Sequence, residues 1–383
     1  MVWVCFSPCS PYGYHETPGS RGDVYAAARE LRRDVRHLLD FSASINPLGP
    51  SPAAWRAISQ GSELLRHYPD PACRDLRQAL ATFWDRSPEE FLIGNGSTEL
   101  IHLLPGALQI RHLLVIGPTF SEYAAAMARV GGQISSIMAT RDDGYRPPLE
   151  QVLQDLVTFR NTRNNMPPVD AVMICNPNSP TGRACDPSMV RKVARRAARL
   201  GQWCLVDETF AEYCEQVSIL PEDLPARSLV LRSFTKFYGL PGLRVGYVVG
   251  NPKVMTQLSA HQPPWSVNML ALRAAQLALQ DRRHSRRSLR FMEQERPRFV
   301  QGLARLPDCS TVPSAANFLL VELPAKLKAT NVVSALRRQG ILVRDCSQVP
   351  GLNDRSIRLA VRSPADNDRL LRSLSKIVGN NCA

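Results

Sequence analysis

The stretch "SFTKFYGLPGLRVGYVVG", residues 233–250, sets one lysine where lysines rarely stand. Phe234, Phe237 and Tyr238 surround Lys236 in sequence. A turn punctuated by Gly239, Pro241 and Gly242 follows, and then the apolar run Val245 to Val249. Burying an ammonium group is costly, and burial favours the neutral amine. A neutral amine is a nucleophile. Lys236 therefore reads as a chemical residue held among apolar neighbours, and the run after it reads as a buried strand.

The rest of the chain bounds what such a lysine can serve. With 383 residues and 44% hydrophobic content, the chain can build a large core with a smaller unit attached. No run of 18 apolar residues predicts a membrane span. The start, "MVWVCFSPCSPYGY", lacks a basic n-region and is broken by Ser and Pro, so it reads as a loose tail and not as a signal peptide. Ten cysteines are scattered without a C-x-x-C pair, and no histidine cluster supports a metal site. Reduced thiols in a cytoplasmic protein are the expectation. The net charge of +13 comes in good part from "RKVARRAARL" (191–200) and "DRRHSRRSLR" (281–290). Both read as helices with solvated basic faces. No aromatic residues interleave with these arginines as stacking platforms, which argues against a nucleic-acid partner. The positive field suits an anionic substrate.

Short apolar runs alternate with helical patterns through the middle. "LLVIG" (113–117), "AVMIC" (171–175), "WCLVD" (203–207), "LVLRSF" (229–234) and "VGYVVG" (245–250) read as buried strands, with amphipathic segments 119–131 and 187–200 between them. This predicts an α/β fold with a mostly parallel sheet. The segments "RDDGYRPPLEQ" and "RNTRNNMPPVD" read as loops. Further on, "ANFLLVEL" (316–323), "GILVRDC" (340–346) and "SIRLAVR" (356–362) predict strands of a smaller α+β unit. The expected division is a tail at 1–19, a segment at 20–67 packing on the smaller unit, a large domain at 68–267, and a connecting helix with the small domain at 268–383.

In open α/β sheets, sites form at the carboxyl ends of strands. "IGNGSTEL" puts Gly94 and Gly96 before Ser97 and Thr98 at the start of a helix, which suits a phosphate. A plain helix cap would look the same. Asp207 ends the run "WCLVD", and a buried carboxylate needs a cation or N–H partner. Lys236 and Arg244 follow the next strand. A phosphate cradle, a buried carboxylate, a neutral lysine and an arginine together fit one cofactor, pyridoxal phosphate. The lysine forms its Schiff base and the carboxylate partners its pyridinium nitrogen.

"NPNSPTG" (176–182), "DETF" (207–210), "SFTKFYGLPGLRVGY" and "IRLAVR" also resemble the fold-type-I pyridoxal-phosphate enzymes. The resemblance runs from about residue 20 to 378, in the branch of histidinol-phosphate aminotransferases and threonine-phosphate decarboxylases. "DVYAAARELRRDVRHLLDFSASINPLGP", "PPWSVNMLA" (263–271) and "RDCSQVPGL" (344–352) lean towards the decarboxylases. So does Phe210, which stands where the aminotransferases usually carry tyrosine and cannot make that residue's hydrogen bond. The resemblance implies that Phe120 stacks on the cofactor ring, with Asn178 and Ser179 beside it. Gly96, Ser97, Thr98, Ser233 and Arg244 would hold the cofactor phosphate. Tyr68 would reach the phosphate in a neighbouring subunit, which makes the active unit a homodimer. Arg358 would take the substrate carboxylate and Arg344 its phosphate, with Ser44, Ser20 and Arg21 nearby.

The chain also departs from the family pattern. Ser20-Arg21-Gly22-Asp23 stands where the family has His-Gly-Gly-Asn, and Ser44 and Ser179 stand where asparagine is usual. The expected reaction is decarboxylation of L-threonine O-3-phosphate, or of a close phospho-amino acid, to 1-amino-2-propanol phosphate for cobalamin. Transamination of the histidinol-phosphate type is the alternative. A basic, non-catalytic binding protein on the same fold is a further alternative, against which Asp207, Lys236 and Arg244 speak.

Overall fold

The computed structural model describes residues 4–6, 23–158 and 168–382. The chain runs β1 (Val4–Phe6), α1 (Val24–Leu31), β2 (Leu39–Asp40), α2 (Pro52–Ser59), α3 (Arg74–Trp84), β3 (Phe91–Gly94), α4 (Gly96–Ala107), β4 (His112–Gly117), α5 (Glu122–Arg129), β5 (Gln133–Met138) and α6 (Leu149–Thr158). It continues through β6 (Ala171–Cys175), α7 (Pro187–Arg199), β7 (Trp203–Asp207), β8 (Ser228–Ser233), β9 (Gly246–Val249), α8 (Pro252–Ser259), α9 (Met269–Gln280) and α10 (Arg282–Leu303). The last part holds β10 (Ser310–Thr311), β11 (Phe318–Glu322), α11 (Ala329–Arg338), β12 (Ile341–Leu342), β13 (Arg344–Asp345), β14 (Ser356–Ala360) and α12 (Pro364–Cys382).

Eight strands form the central sheet in the order β1-β5-β4-β6-β7-β8-β9-β3. The pairs from β5 to β8 are parallel, while β1 and β9 run antiparallel to their neighbours. The α/β expectation is met. The inner strands β4, β6, β7 and β8 are buried and mainly apolar because both faces of a parallel sheet are covered. Each run expected as a strand in the middle of the chain is one. Three residues of the expected tail, Val4–Phe6, add to the sheet edge against β5.

A second sheet has the order β10-β11-β14-β13, and β2 pairs with β12 in a third. The stretch 340–346, expected as one strand, serves two partners. Ile341 and Leu342 pair with β2, and Arg344 and Asp345 pair with β14. The loop expected at 141–151 gives way to α6 at Leu149. In the segment 20–67, β2 joins the smaller unit and α2 packs against α9. One hydrophobic core continues from Phe41 through the large sheet to Leu374 on α12. Among the described residues no helix is long and apolar enough to cross a membrane.

Candidate active site

The carboxyl ends of β3, β7 and β8 lie together because the sheet brings them there. Gly246 at the start of β9 pairs with Gly94 on one side and Ser233 on the other. A Cβ on Gly246 would stand 2.6 Å from the Ser97 amide nitrogen, so the start of α4 rests directly on this strand. Gly96 has φ +78°, and its missing Cβ leaves room for Arg244, whose Nη2 would lie 2.5 Å from it. The positive end of the α4 dipole and a guanidinium thus meet at Gly96, Ser97 and Thr98. That is an anion site. Ser233 at the end of β8 is buried, and its hydroxyl bonds Thr235 Oγ1 at 2.8 Å.

Asp207 is buried at the end of β7. Its Oδ1 accepts the Thr209 amide at 3.0 Å and the Thr209 hydroxyl. Its Oδ2 accepts the Tyr123 hydroxyl at 2.7 Å. Tyr123 lies on α5, three residues after Phe120, and the two rings meet edge to face at 5.8 Å. Phe120 is itself partly open to solvent at 38%.

Lys236 sits in the loop after β8, held from outside the large sheet. The Asn46 amide donates to the Lys236 carbonyl at 3.0 Å, and Asn46 Nδ2 donates to the Phe237 carbonyl at 2.8 Å. Burial pushes the Lys236 amine down to about 8, with Arg358 and Arg244 adding to the effect and Asp207 and Asp40 opposing it. Its Nζ lies 5.9 Å from the centre of the Phe210 ring. Phe210 meets Phe318 edge to face at 4.9 Å, and Phe318 carries the Arg358 guanidinium at 5.1 Å. Arg358 Nη1 donates to Ser179 Oγ at 3.0 Å and its Nη2 to the Ser42 carbonyl at 2.7 Å. Arg344 stands directly opposite Arg358 on the neighbouring strand. Two like charges so placed repel, and an anion between them offsets that cost.

Behind the site a buried ionic cluster braces the strands. Arg232 on β8 meets Glu208 Oε2 at 2.7 Å and Glu212 Oε1 at 3.3 Å, and Ser218 accepts from it at 2.8 Å. Glu208 and Arg232 are the chain neighbours of Asp207 and Ser233.

The structure therefore brings together Gly96, Ser97, Thr98, Ser233 and Arg244, and beside them Asp207, Lys236, Ser179 and Arg358, with Arg344 opposite Arg358. Asn178 turns to its own loop. Its Nδ2 donates to the Pro118 carbonyl and to Thr181 Oγ1, and its Oδ1 accepts from Thr119. Ser44 is buried, and its hydroxyl has no partner among the described residues. Tyr68 is 80% exposed and stacks on Trp265 at 4.9 Å. Ser20 and Arg21 lie outside the described residues. Sequence reasoning missed Tyr123, Asn46 and Asp40. The spacing of Phe120 and Tyr123 within the expected helical segment 119–131 was the available signal, although Phe120 stands just before α5 and only Tyr123 lies on it.

A buried amine lowered to about 8, a buried carboxylate fixed by three donors and an anion cradle form one set, which suits an aromatic cofactor with a phosphate. The model of aminotransferase class I and II matches residues 36–374. The chain belongs to that family. Within it, the chain is 35% identical over 361 residues to threonine-phosphate decarboxylase of Salmonella typhimurium, covering 93% of this chain and 96% of that one. The structure of histidinol-phosphate aminotransferase from Clostridium acetobutylicum superposes with a TM-score of 0.81 at 27% identity, covering 90% of this chain and 100% of that one. L-threonine-O-3-phosphate decarboxylase from Porphyromonas gingivalis gives a TM-score of 0.77 at 25% identity, covering 89% and 100%. The fold is that of the fold-type-I members of the aminotransferase class I and II family. Its cofactor is pyridoxal phosphate, and the cradle at Gly96 and the buried Lys236 fit it.

Proposed function

We propose that this chain is a pyridoxal-phosphate-dependent decarboxylase that converts L-threonine O-3-phosphate to (R)-1-amino-2-propanol O-phosphate, a step towards cobalamin. The Arg344–Arg358 pair carries the reading. A substrate with both a carboxylate and a phosphate matches two arginines at facing strand positions, of which Arg358 acts on Lys236.

When bound, pyridoxal phosphate supplies an electron-accepting ring that stabilises negative charge at the substrate Cα. Gly96, Ser97, Thr98, Ser233 and Arg244 would hold its phosphate, and Asp207 its ring nitrogen. Phe120 would cover the ring face, and Asn178 would keep the Ser179 loop in place. Lys236, whose amine burial lowers to about 8, would hold the cofactor through its nitrogen, the neutral fraction of the amine being the nucleophile. Arg358, anchored on Ser42, Ser179 and Phe318, holds the substrate carboxylate. Arg344 takes its phosphate, with Ser44 as a further contact. The Cα–carboxylate bond breaks and carbon dioxide leaves. Lys236, in its ammonium form, would supply the proton that takes the place of the carboxylate at Cα. Phe210 offers this lysine an apolar ring and no hydroxyl. The active unit is a homodimer in which Tyr68 reaches into the neighbouring subunit, and its place is the cytoplasm.

The deciding experiment incubates the purified protein with O-phosphothreonine, O-phosphoserine and histidinol phosphate, with and without 2-oxoglutarate. Carbon dioxide from O-phosphothreonine is expected. Glutamate without carbon dioxide would assign the aminotransferase reaction instead.

A further inference from the structure

We infer that Asp40 is a positioning residue of this site: it shapes the turn at 40–43 that aims the Ser42 carbonyl at Arg358, and so fixes where Arg358 holds a substrate carboxylate. The inference rests on the assignment of Arg358 made above.

Three donors converge on one oxygen of Asp40. Oδ1 accepts the Ser42 amide at 2.9 Å, the Ala43 amide at 3.3 Å and the Ser42 hydroxyl. An aspartate that takes the amide two residues ahead folds the backbone into an Asx turn. The Ser42 amide and hydroxyl point inward to Asp40, and its carbonyl points outward to Arg358 Nη2 at 2.7 Å. Ser42 is buried, so this carbonyl needs a donor.

The turn is tied to the strand that carries Arg358. On one side, the Phe41 amide donates to the Leu342 carbonyl at 2.7 Å. On the other, the Ala360 amide at the end of β14 donates to the Phe41 carbonyl at 2.8 Å. The Asp40 carbonyl accepts Arg362 Nη1 at 3.0 Å, and Arg362 is paired with Asp366 at 3.2 Å. Arg358 is thus held from three directions: Ser42 from the turn, Ser179 from the loop after β6, and the Phe318 ring beneath. Of these three, only the turn owes its shape to a carboxylate.

That carboxylate has a second effect. Its charge holds the Lys236 amine up, against burial and the charges of Arg358 and Arg244, with Asp207 on the same side as Asp40. The charged groups tied to Asp40 are Arg362, whose Nη1 donates to its carbonyl, Arg358, which the same turn holds through Ser42, and Lys236 in the loop after β8. Turn geometry and charge are separable by substitution. Asp40→Asn keeps an oxygen for the amides and removes the charge. Asp40→Ala removes both.

The test uses the full chain in two forms. With cofactor bound, KM, kcat and the fraction of turnovers ending in amino-group transfer instead of carbon dioxide loss are measured with O-phosphothreonine. Without cofactor, the pH dependence of Lys236 acetylation is followed by mass spectrometry. Asp40→Ala is expected to raise KM about tenfold, the value of one lost anchoring hydrogen bond, and to raise the amino-transfer fraction. Asp40→Asn should keep KM within about threefold, the effect of under 1 kcal/mol. Both variants should acetylate Lys236 with a lower pH midpoint. An unchanged KM and product ratio in Asp40→Ala overturns the positioning role, since loss of stability alone leaves that ratio as it was. An Asp40→Asn variant that matches Asp40→Ala in KM assigns the effect to charge and overturns the turn argument. If Asp40→Ala does not fold, the Asp40→Asn acetylation midpoint decides the electrostatic part and its KM the turn. If the unsubstituted protein releases no carbon dioxide, the proposed reaction fails, and the cofactor-free acetylation still reports on Asp40.

Discussion

Tyr123 donates its hydroxyl to Asp207 Oδ2 at 2.7 Å, with both groups buried. Together with the two donors from Thr209, this bond offsets the cost of burying the carboxylate and fixes its orientation at the end of β7. Tyr123→Phe removes one bond to a charged group, worth about 1.5–3 kcal/mol. Pyridoxal phosphate is expected to bind roughly ten- to a hundredfold more weakly. Titration of the cofactor-free protein reads this, and an unchanged Kd would remove Tyr123 from the cofactor's support.

Lys236 carries the second prediction. Its amine is lowered from 10.5 to about 8 by burial first. A lysine with a depressed folded pKa contributes stability above its unfolded pKa and loses it as pH falls through the folded value. At pH 7 the cofactor-free protein therefore bears a penalty on the order of 3 kcal/mol. Lys236→Met should unfold at higher urea than the unsubstituted cofactor-free protein at pH 7, and the gap should close towards pH 10. The same variant should show none of the visible absorbance of lysine-bound cofactor.

Glu212 behaves in the opposite sense. Burial raises its carboxyl from 4.5 to about 7, against the pull of Arg232. A raised folded pKa gives stability that is complete below the unfolded value and lost as pH rises through the folded one. Unfolding free energy should fall between about pH 4.5 and 7 by an amount on the order of 3 kcal/mol from this group. Glu212→Gln should flatten that slope. Urea unfolding at pH 5.5 and 8 measures it, and parallel curves for the two proteins would refute the assignment.

Arg344 stands opposite Arg358 and is assigned to the substrate phosphate. Arg344→Ala should raise KM for O-phosphothreonine by roughly ten- to a hundredfold, from the loss of about 1.5–3 kcal/mol. The unphosphorylated amino acid should lose far less. Equal losses for the two substrates would place Arg344 elsewhere in recognition.

Tyr68, 80% exposed and stacked on Trp265 in its own chain, is proposed to reach a neighbouring subunit. Mixed dimers of a Tyr68→Phe variant and a Lys236→Ala variant then hold one site with both lesions and one with neither. Recovery of about a quarter of the unsubstituted activity is expected, because half of the exchanged dimers are mixed and each has one intact site of two. No recovery after proven exchange would show that the sites are not shared.

Much of this was legible in the chain because parallel sheets bury both faces of a strand. Four apolar runs at 113–117, 171–175, 203–207 and 229–234 announced their strands, and Asp207 and Lys236 stood out where those runs stop. β5 did not announce itself. Its "QISSIM" carries Ser135 and Ser136, both buried, and Ser135 is matched by His112 Nε2 at 2.8 Å from the next strand. A polar pair supplied from another strand leaves no trace in local periodicity. Arg232 was hidden for the same reason. Within "LVLRSF" it looks like an interruption, yet it is 1% exposed because Glu208 and Glu212 come to meet it.

The sequence alone determined which chemical groups are present and where each sits along its own element. An amine among aromatic residues, a carboxylate closing an apolar run and a glycine opening a helix are local facts, set by a few neighbouring side chains. Tertiary structure decided which of them meet. Arg358 is held by Ser42 and Ser179, 316 and 179 residues away in the chain. The Lys236 loop is held by Asn46, and its amine feels Asp40. Such contacts arise from the strand order and from one continuous core between the two sheets, and no spacing along the chain encodes them. For that reason the lysine could be picked out from its neighbours in sequence, while the turn that aims its arginine partner appeared only once the chain was folded.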